Sequence, residues 1–343
     1  MMQKRDIKNF TLNELQEEVK NLGAEKYRAT QLFDFFYKKG MEDFKDMLSL
    51  PTSFRDLLQK YFYISKIELE NLAKSKDQTE KYLFKLEDAN LIESVLIFSS
   101  KRVTECISSQ IGCKYNCLFC ESGKKGFTRD LAISEILNQV LFVKKKRKSN
   151  LNNIVFMGIG EPLDNYDNVV KAIYILNSKD AFDIGARKIT ISTCGIIPAI
   201  KRLQEHNWQI ELSVSLHAPE NKLRSYLMPV NNLYPLPDLI LACKNYAEKT
   251  NRQITFEYIL IKGVNDLLDY ADKLATLIGG FNSKVNLIAF HPSPNSLLQA
   301  SSTSRIKSFK DKLNNKGIPT TIRISKGEDI SAACGQLKSL YLK

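Results

Sequence analysis

Residues 106–120 read Cys-Ile-Ser-Ser-Gln-Ile-Gly-Cys-Lys-Tyr-Asn-Cys-Leu-Phe-Cys, and no other stretch constrains the chain as strongly. Cys113, Cys117 and Cys120 form a C-x3-C-x2-C triplet with Cys106 upstream, so four of the seven cysteines crowd into this segment. Thiolates spaced so closely can converge on one soft metal centre. Three ligands on a four-iron cluster leave one iron open, and an open iron is where a small molecule binds. Zinc is the competing metal, since four-cysteine zinc sites also use close pairs. Such sites usually place a second ligand pair about a dozen or more residues away, and no C-x2-C or H-x3-H partner occurs here. A disulfide framework is the remaining alternative, but 343 residues can bury a large core without staples. Phe119, inside the triplet, is placed to shield a cluster from water or equally to join the core.

The start, Met-Met-Gln-Lys-Arg-Asp, lacks the apolar core of a signal peptide, and no run approaches membrane-spanning length. The expected location is the cytoplasm, with no membrane partner, where cysteines are thiols or metal ligands. Fifty Lys and Arg stand against 38 Asp and Glu, a formal net charge of +12. A basic surface attracts polyphosphate partners through counterion release, which favours a nucleic acid. A composition rich in Lys and Asn gives the same charge with no partner at all.

Residues 1–62 read as a small helical module. Thr11 and Glu14 make a capping box, Leu12, Leu15, Val19 and Leu22 follow at helical spacing, and Gly23 suits the stop. A second helix over 27–39 carries Phe33, Phe35, Phe36 and Tyr37, and Pro51 precedes a third with Phe54, Leu57, Leu58 and Tyr61. Interleaved basic and aromatic groups fit an accessory RNA-binding domain; the same aromatics also suit a small core. Residues 63–105 change period and predict a β extension, with strands near 82–86, 92–98 and 103–106. Glu93 is a carboxylate within one of these apolar strands.

From 106 to 343 the pattern is strand, loop, helix, repeated. Strands are expected at 153–157, 188–192, 209–216, 253–260, 284–290 and 319–324, with helices at 132–146, 166–178, 196–206, 235–249, 267–278 and 303–315. The fold class is therefore α/β, a partial (β/α)6 barrel with chemistry at the carboxyl ends of its strands. Counting 103–107 as the first strand, the distinctive residues open onto one rim. The triplet follows the first strand and Met157-Gly-Ile-Gly-Glu-Pro162 the second; Ser192 ends the third, Ser215, Leu216 and His217 the fourth, and His291 follows the sixth. Gly158 and Gly160 let the backbone approach a ligand, and Glu161 can accept from an ammonium group. Leu163 stands where a dinucleotide fingerprint needs its third glycine. Lys144-Lys-Lys-Arg-Lys148 ends the first barrel helix and reads as a phosphate-facing patch, or as solvated charge at a helix C-terminus. Cys194 and Cys243 read as small buried hydrophobes, as Cys334 does when taken alone.

The triplet resembles the signature of the radical S-adenosylmethionine superfamily. The longer strings are similar to the adenosine C2 methyltransferases of the RlmN type: Cys106-Ile-Ser-Ser-Gln-Ile-Gly-Cys113, Gly126-Phe-Thr-Arg129, Met157-Gly-Ile-Gly-Glu-Pro-Leu163, Ser215-Leu-His-Ala-Pro219, Leu227-Met-Pro-Val230 and Ala333-Cys-Gly-Gln-Leu337. They span most of the chain. The resemblance implies a radical-SAM barrel in which Cys113, Cys117 and Cys120 hold a [4Fe–4S] cluster whose open iron chelates S-adenosylmethionine. Gly160, Glu161, Ser192, Ser215, Leu216 and His217 would contact that cofactor. Where the family has Asn after the sixth strand this chain has His291, which can supply a similar hydrogen bond.

The resemblance further implies two S-adenosylmethionine molecules per turnover. One methylates Cys334; the other is cleaved reductively to a deoxyadenosyl radical that takes hydrogen from the methylated Cys334. The carbon radical adds to adenine C2 and leaves a protein–RNA adduct. Glu93 then matches the proton acceptor, and Cys106 resolves the adduct through a Cys106–Cys334 disulfide. The partners implied are 23S ribosomal RNA, transfer RNA and an electron donor such as flavodoxin or ferredoxin, with the enzyme a monomer. Adenine C2 is not nucleophilic, so radical addition reaches it where ordinary methyl displacement does not. Two alternatives stand beside this reading: methylation of adenine C8, as in the sister Cfr group, and a non-catalytic RNA-binding protein with a structural metal. Glu161-Pro-Leu163 and Gly126-Phe-Thr-Arg129 look more like the C2 enzymes.

Overall fold

The computed structural model describes residues 3–99, 102–147, 151–292, 296–338 and 340–341. Its frame is a run of short apolar strands, each followed by an amphipathic helix. Strands Val103–Cys106, Asn153–Phe156, Ile189–Thr193, Glu211–Ser215, Ile254–Leu260, Ser283–Ala289 and Thr320–Arg323 lie side by side in chain order, each parallel to the next. Parallel neighbours require crossovers. Helices Ile133–Arg147, Tyr166–Asn177, Ile197–Leu203, Leu236–Thr250, Leu268–Ile278 and Thr303–Asn315 supply them. The first and last of these strands do not pair among the described residues, so the barrel is open, as the α/β partial-barrel reading expects. Ile254–Leu260 is buried at every position, as befits a strand covered on both faces.

The sheet continues past Val103–Cys106 into the antiparallel strands Asn90–Phe98, Glu80–Lys85 and Glu68–Lys74. Glu68–Lys74 was not expected. It is an edge strand with exposed charged positions, so it lacks the apolar alternation that marks a half-buried strand. Leu340–Tyr341 pairs with Asn90–Leu91 and ties the C-terminal segment to the same sheet. Among the described residues no helix is long and apolar enough to cross a membrane.

The first helix, Leu12–Asn21, carries the expected capping box: the Glu14 amide donates to Thr11 Oγ1 at 3.4 Å, and the Thr11 amide to Glu14 Oε2 at 2.8 Å. The second is α-helical only over Tyr27–Phe33 and widens to a π turn over Asp34–Lys38. Phe33, Phe35, Phe36 and Tyr37 are all buried, so they form the module's core and offer no stacking surface. Two lysines of the basic run reach this module, and a third turns to aromatic rings outside it. Lys144 Nζ donates to the Tyr37 carbonyl at 3.2 Å, Lys145 pairs with Glu42 at 2.7 Å, and Lys146 lies over the rings of Tyr82 and Phe142. The run read as a phosphate-facing patch over 144–148 thus also makes contacts within the chain, with Lys145 still 63% exposed; Lys148 lies outside the described residues. Lys8 completes the joint, donating to the Ser65 carbonyl at 2.6 Å and to Asn138 Oδ1.

Candidate active site

A short hairpin that sequence periodicity did not reveal presents the cysteines. Gln110–Gly112 pairs antiparallel with Phe127–Asp130, and the Cys113 amide donates to the Gly126 carbonyl at 3.0 Å. The triplet is thus the loop of a pinned hairpin. Gly112 has φ +76°, and a Cβ there would stand 1.9 Å from the Gly126 oxygen, so only glycine closes it. Arg129, in the Gly126-Phe-Thr-Arg string, locks the base by pairing with Glu135 and Asp88, both at 2.7 Å.

Cys113, Cys117 and Cys120 are unpaired thiols on the wall of a cavity of about 150 Å³ at the strands' carboxyl ends. The same wall carries Gly160, Glu161, Ser192, Ser215, His217 and Cys334. Residues from five stretches of sequence therefore meet where the motif order placed them. A larger cleft, about 900 Å³, opens between the Leu12–Asn21 and Tyr166–Asn177 helices, but it holds none of these residues.

Burial raises all three thiols, Cys113 to about 12. A thiolate in such a place needs a strong positive partner, which a metal core supplies. Among the described residues, no three His, Cys, Asp or Glu side chains stand close enough to share one ion. The residues fit an iron–sulfur cluster: three soft, water-shielded donors on one pinned loop, opening into a cavity.

The glycines in the 157–163 string serve packing. A Cβ on Gly158 would lie 2.6 Å from the Ile107 backbone, and one on Gly160, at φ +103°, would lie 2.5 Å from Gln110 Cβ. They bring the loop against the first strand and its hairpin. Gln110 Oε1 accepts from the Glu161 amide at 2.8 Å, and its Nε2 donates to Asp130 at 2.8 Å. Glu161 is buried and braced: its carboxylate accepts from the Leu163 amide at 2.9 Å and the Cys194 amide at 2.6 Å. Burial raises its pKa, and these amides work against that rise.

His217 is buried in a left-handed backbone turn (φ 57°), with Nδ1 accepting from the Ile259 amide at 3.0 Å. Its ring packs edge-on against Phe119 at 4.6 Å. Burial, then the charge of Arg224, pushes the imidazole down to about 3, so it is neutral with its proton on Nε2. Leu216 does not line the cavity; its side chain is fully buried in the core, leaving only backbone for a contact. Nor does His291, whose Nε2 contacts Ser325 Oγ at 2.7 Å and Glu328 at 3.3 Å.

Cys334 reaches the cavity on a segment docked to the cysteine loop. The Glu121 amide donates to the Gly335 carbonyl at 2.7 Å, and Ser122 Oγ to the Leu337 carbonyl at 2.9 Å. Cys106 is buried in an apolar patch with Val95, Ile159, Ala332 and Leu337. Burial pushes its thiol up to about 12, and its packing on Ala332 and Leu337 sets it against the segment that bears Cys334. Glu93 lies outside the cavity lining. It pairs with Lys81 at 3.1 Å and accepts from the Lys338 amide at 2.8 Å, anchoring the segment that bears Cys334.

Three residues of the site escaped the sequence reading. Glu257 and Arg323 line the cavity from the fifth and seventh strands of the parallel run, and Arg224 lies behind it. Glu257 is buried, with Asn286 donating to Oε1 at 3.1 Å and Oε2 without a hydrogen-bond partner among the described residues. A charge in an otherwise apolar strand was the available signal for Glu257; Arg224, in a helix of mixed polarity, gave none.

Comparison with known proteins adds three findings. A family model described as the radical SAM superfamily matches residues 107–274, and one described as the ribosomal RNA large subunit methyltransferase N-terminal domain matches 5–64. The dual-specificity RNA methyltransferase RlmN of Geotalea uraniireducens is 45% identical over 98% of this chain and 97% of its own length. That of Campylobacter lari is 44% identical over 98% and 99%. Among solved structures, a radical SAM methyltransferase from Sphaerobacter thermophilus superposes with a TM-score of 0.92 at 41% identity, covering 97% of this chain and 99% of the other.

Proposed function

The chain belongs to the RlmN family of dual-specificity RNA methyltransferases, within the radical S-adenosylmethionine superfamily, and from that premise we propose that it methylates C2 of adenine in 23S ribosomal RNA and transfer RNA. Its cofactors are S-adenosylmethionine and an iron–sulfur cluster, and its substrate is RNA. In the finer reading the cluster is [4Fe–4S], held by Cys113, Cys117 and Cys120, and two S-adenosylmethionine molecules serve each turnover. When bound, these groups supply a one-electron cleavage and the hydrogen abstraction that follows.

The chain's own residues do the positioning. Gly160, Glu161, Ser192, Ser215 and His217 line the cofactor pocket, with neutral His217 offering an Nε2–H donor there. Cys334 carries the methyl group to the base, and buried Cys106 beside it resolves the thioether-linked adduct by forming a disulfide. Glu93 takes the proton from the substrate carbon. The Lys338 amide that donates to Glu93 ties this carboxylate to the segment bearing Cys334. The target base must leave its stack to reach so narrow a cavity. Residues 1–62 form the accessory RNA-binding domain, 63–105 the β extension and 106–343 the catalytic core. The enzyme works in the cytoplasm as a monomer, fed by a flavodoxin or ferredoxin.

The observation that carries this reading is the docking of the Cys334 segment on the loop of the cysteine triplet. It fits a carrier thiol served directly at the radical source. The test uses anaerobically reconstituted protein, a reductant, RNA transcripts and methyl-labelled S-adenosylmethionine. The label is expected in the RNA; RNA that is bound but never labelled would point to a non-catalytic metal-containing RNA-binding protein.

A further inference from the structure

Arg224, on the Asn221–Leu227 helix, has no exposed surface (0%). Nη1 donates to Asn231 Oδ1 at 2.9 Å, and Nη2 to the carbonyls of Cys194 at 2.7 Å and Ser215 at 3.0 Å. Nε has no acceptor. All these partners are neutral oxygens. The groups whose charge would favour the guanidinium's own are the thiols of Cys194, Cys117 and Cys243, and no carboxylate is among them. A buried cation satisfied by dipoles alone is costly, and folded proteins ordinarily pair it.

The helix that bears Arg224 is joined to the loop of the cysteine triplet. The Leu118 amide, between Cys117 and Cys120, donates at 3.0 Å to the carbonyl of Leu227, the last residue of the Arg224 helix. Helix and cysteine loop are therefore one packed unit. An iron–sulfur cluster held there by three thiolates carries net negative charge, which grows by one on reduction. Net charge and hydrogen bonding near such a cluster set its potential.

We infer that Arg224 is the built-in counter-ion of the cluster and raises its reduction potential, easing arrival of the electron. The inference rests on the cluster assignment to Cys113, Cys117 and Cys120. Hydrogen bonding alone does not account for the residue, because the same carbonyls could be served by a neutral amide without burying a charge.

The test is a spectroscopic redox titration of the anaerobically reconstituted full chain, with no substrate present. Arg224→Gln removes the charge, and Asn231→Asp gives the guanidinium a carboxylate of its own. Both are expected to lower the potential, leaving about tenfold less reduced cluster at a fixed solution potential, or ~59 mV for a one-electron couple. Arg224→Lys keeps the charge and is expected to hold the wild-type potential. If Arg224→Gln does not retain a cluster, Asn231→Asp decides. Loaded neutralised variants with an unchanged potential overturn the inference, as does a Lys variant that falls as far as the Gln one. Wild-type protein that takes up no iron and sulfide would instead remove the cluster assignment.

Discussion

The amide of Glu121, one residue past Cys120, donates to the carbonyl of Gly335, one residue past Cys334, at 2.7 Å. The last cysteine of the triplet and the distant Cys334 are thus held in register by their neighbours. Gly335 has φ +81°, and a Cβ on it would lie 2.9 Å from the Phe119 oxygen. Gly335→Ala should therefore undock the segment at a cost of about 1–3 kcal/mol. The expected readout is faster proteolysis after residue 330 and reduced methyl transfer, with iron content retained. Wild-type protease resistance would contradict it.

The two-cysteine chemistry predicts opposite phenotypes. Cys334→Ala should abolish methylation while the cluster loads normally, as iron analysis would report. Cys106→Ala should leave RNA covalently attached, visible as a shifted band that survives denaturation. Methylation by the Cys334 variant, or no adduct with the Cys106 variant, would contradict these roles.

Glu105 should make stability fall as pH rises from the ordinary carboxyl range to about 8. It is fully buried, accepts from Ser94 Oγ at 3.3 Å, and has its pKa pushed up by burial to about 8. The folded state thus keeps a proton that the unfolded state loses above its ordinary carboxyl range. Stability contributed by that proton is full at low pH and declines as pH rises toward 8, by a few kcal/mol in all. Glu105→Gln should flatten the decline in urea unfolding of the cluster-free protein between pH 5 and pH 8. An unchanged slope would show that Glu105 is ionised in the fold.

Glu161 links the loops after the second and third parallel strands by accepting from Leu163 and Cys194. Glu161→Gln puts an NH₂ where one amide needs an acceptor, a loss of about 1–3 kcal/mol for a buried donor. Both stability and affinity for S-adenosylmethionine, by calorimetry on the loaded protein, should fall. Unchanged affinity would remove Glu161 from the cofactor site.

Much of the frame was legible in the sequence because its period is written in apolar residues. Strand and helix alternation located the rim, and the motif order put the triplet, Gly160, Glu161, Ser192, Ser215 and His217 on it. What escaped had a physical reason in each case. The Gln110–Gly112 strand is three residues long, too short to show a period. His291 follows its strand as expected, yet its ring turns to Ser325 and Glu328, which no local pattern encodes. The basic run reads the same whether its lysines face phosphate or, as Lys144 and Lys145 do, a neighbouring module. Arg224 is invisible for a similar cause, since an arginine in a short helix ordinarily reaches water.

The most direct test of the whole account is mass spectrometry of nucleosides from RNA treated with reconstituted protein, S-adenosylmethionine and a reductant. The account predicts 2-methyladenosine, absent when Cys334 is replaced. 8-Methyladenosine, or no methylated adenosine from protein with an intact cluster, would contradict it.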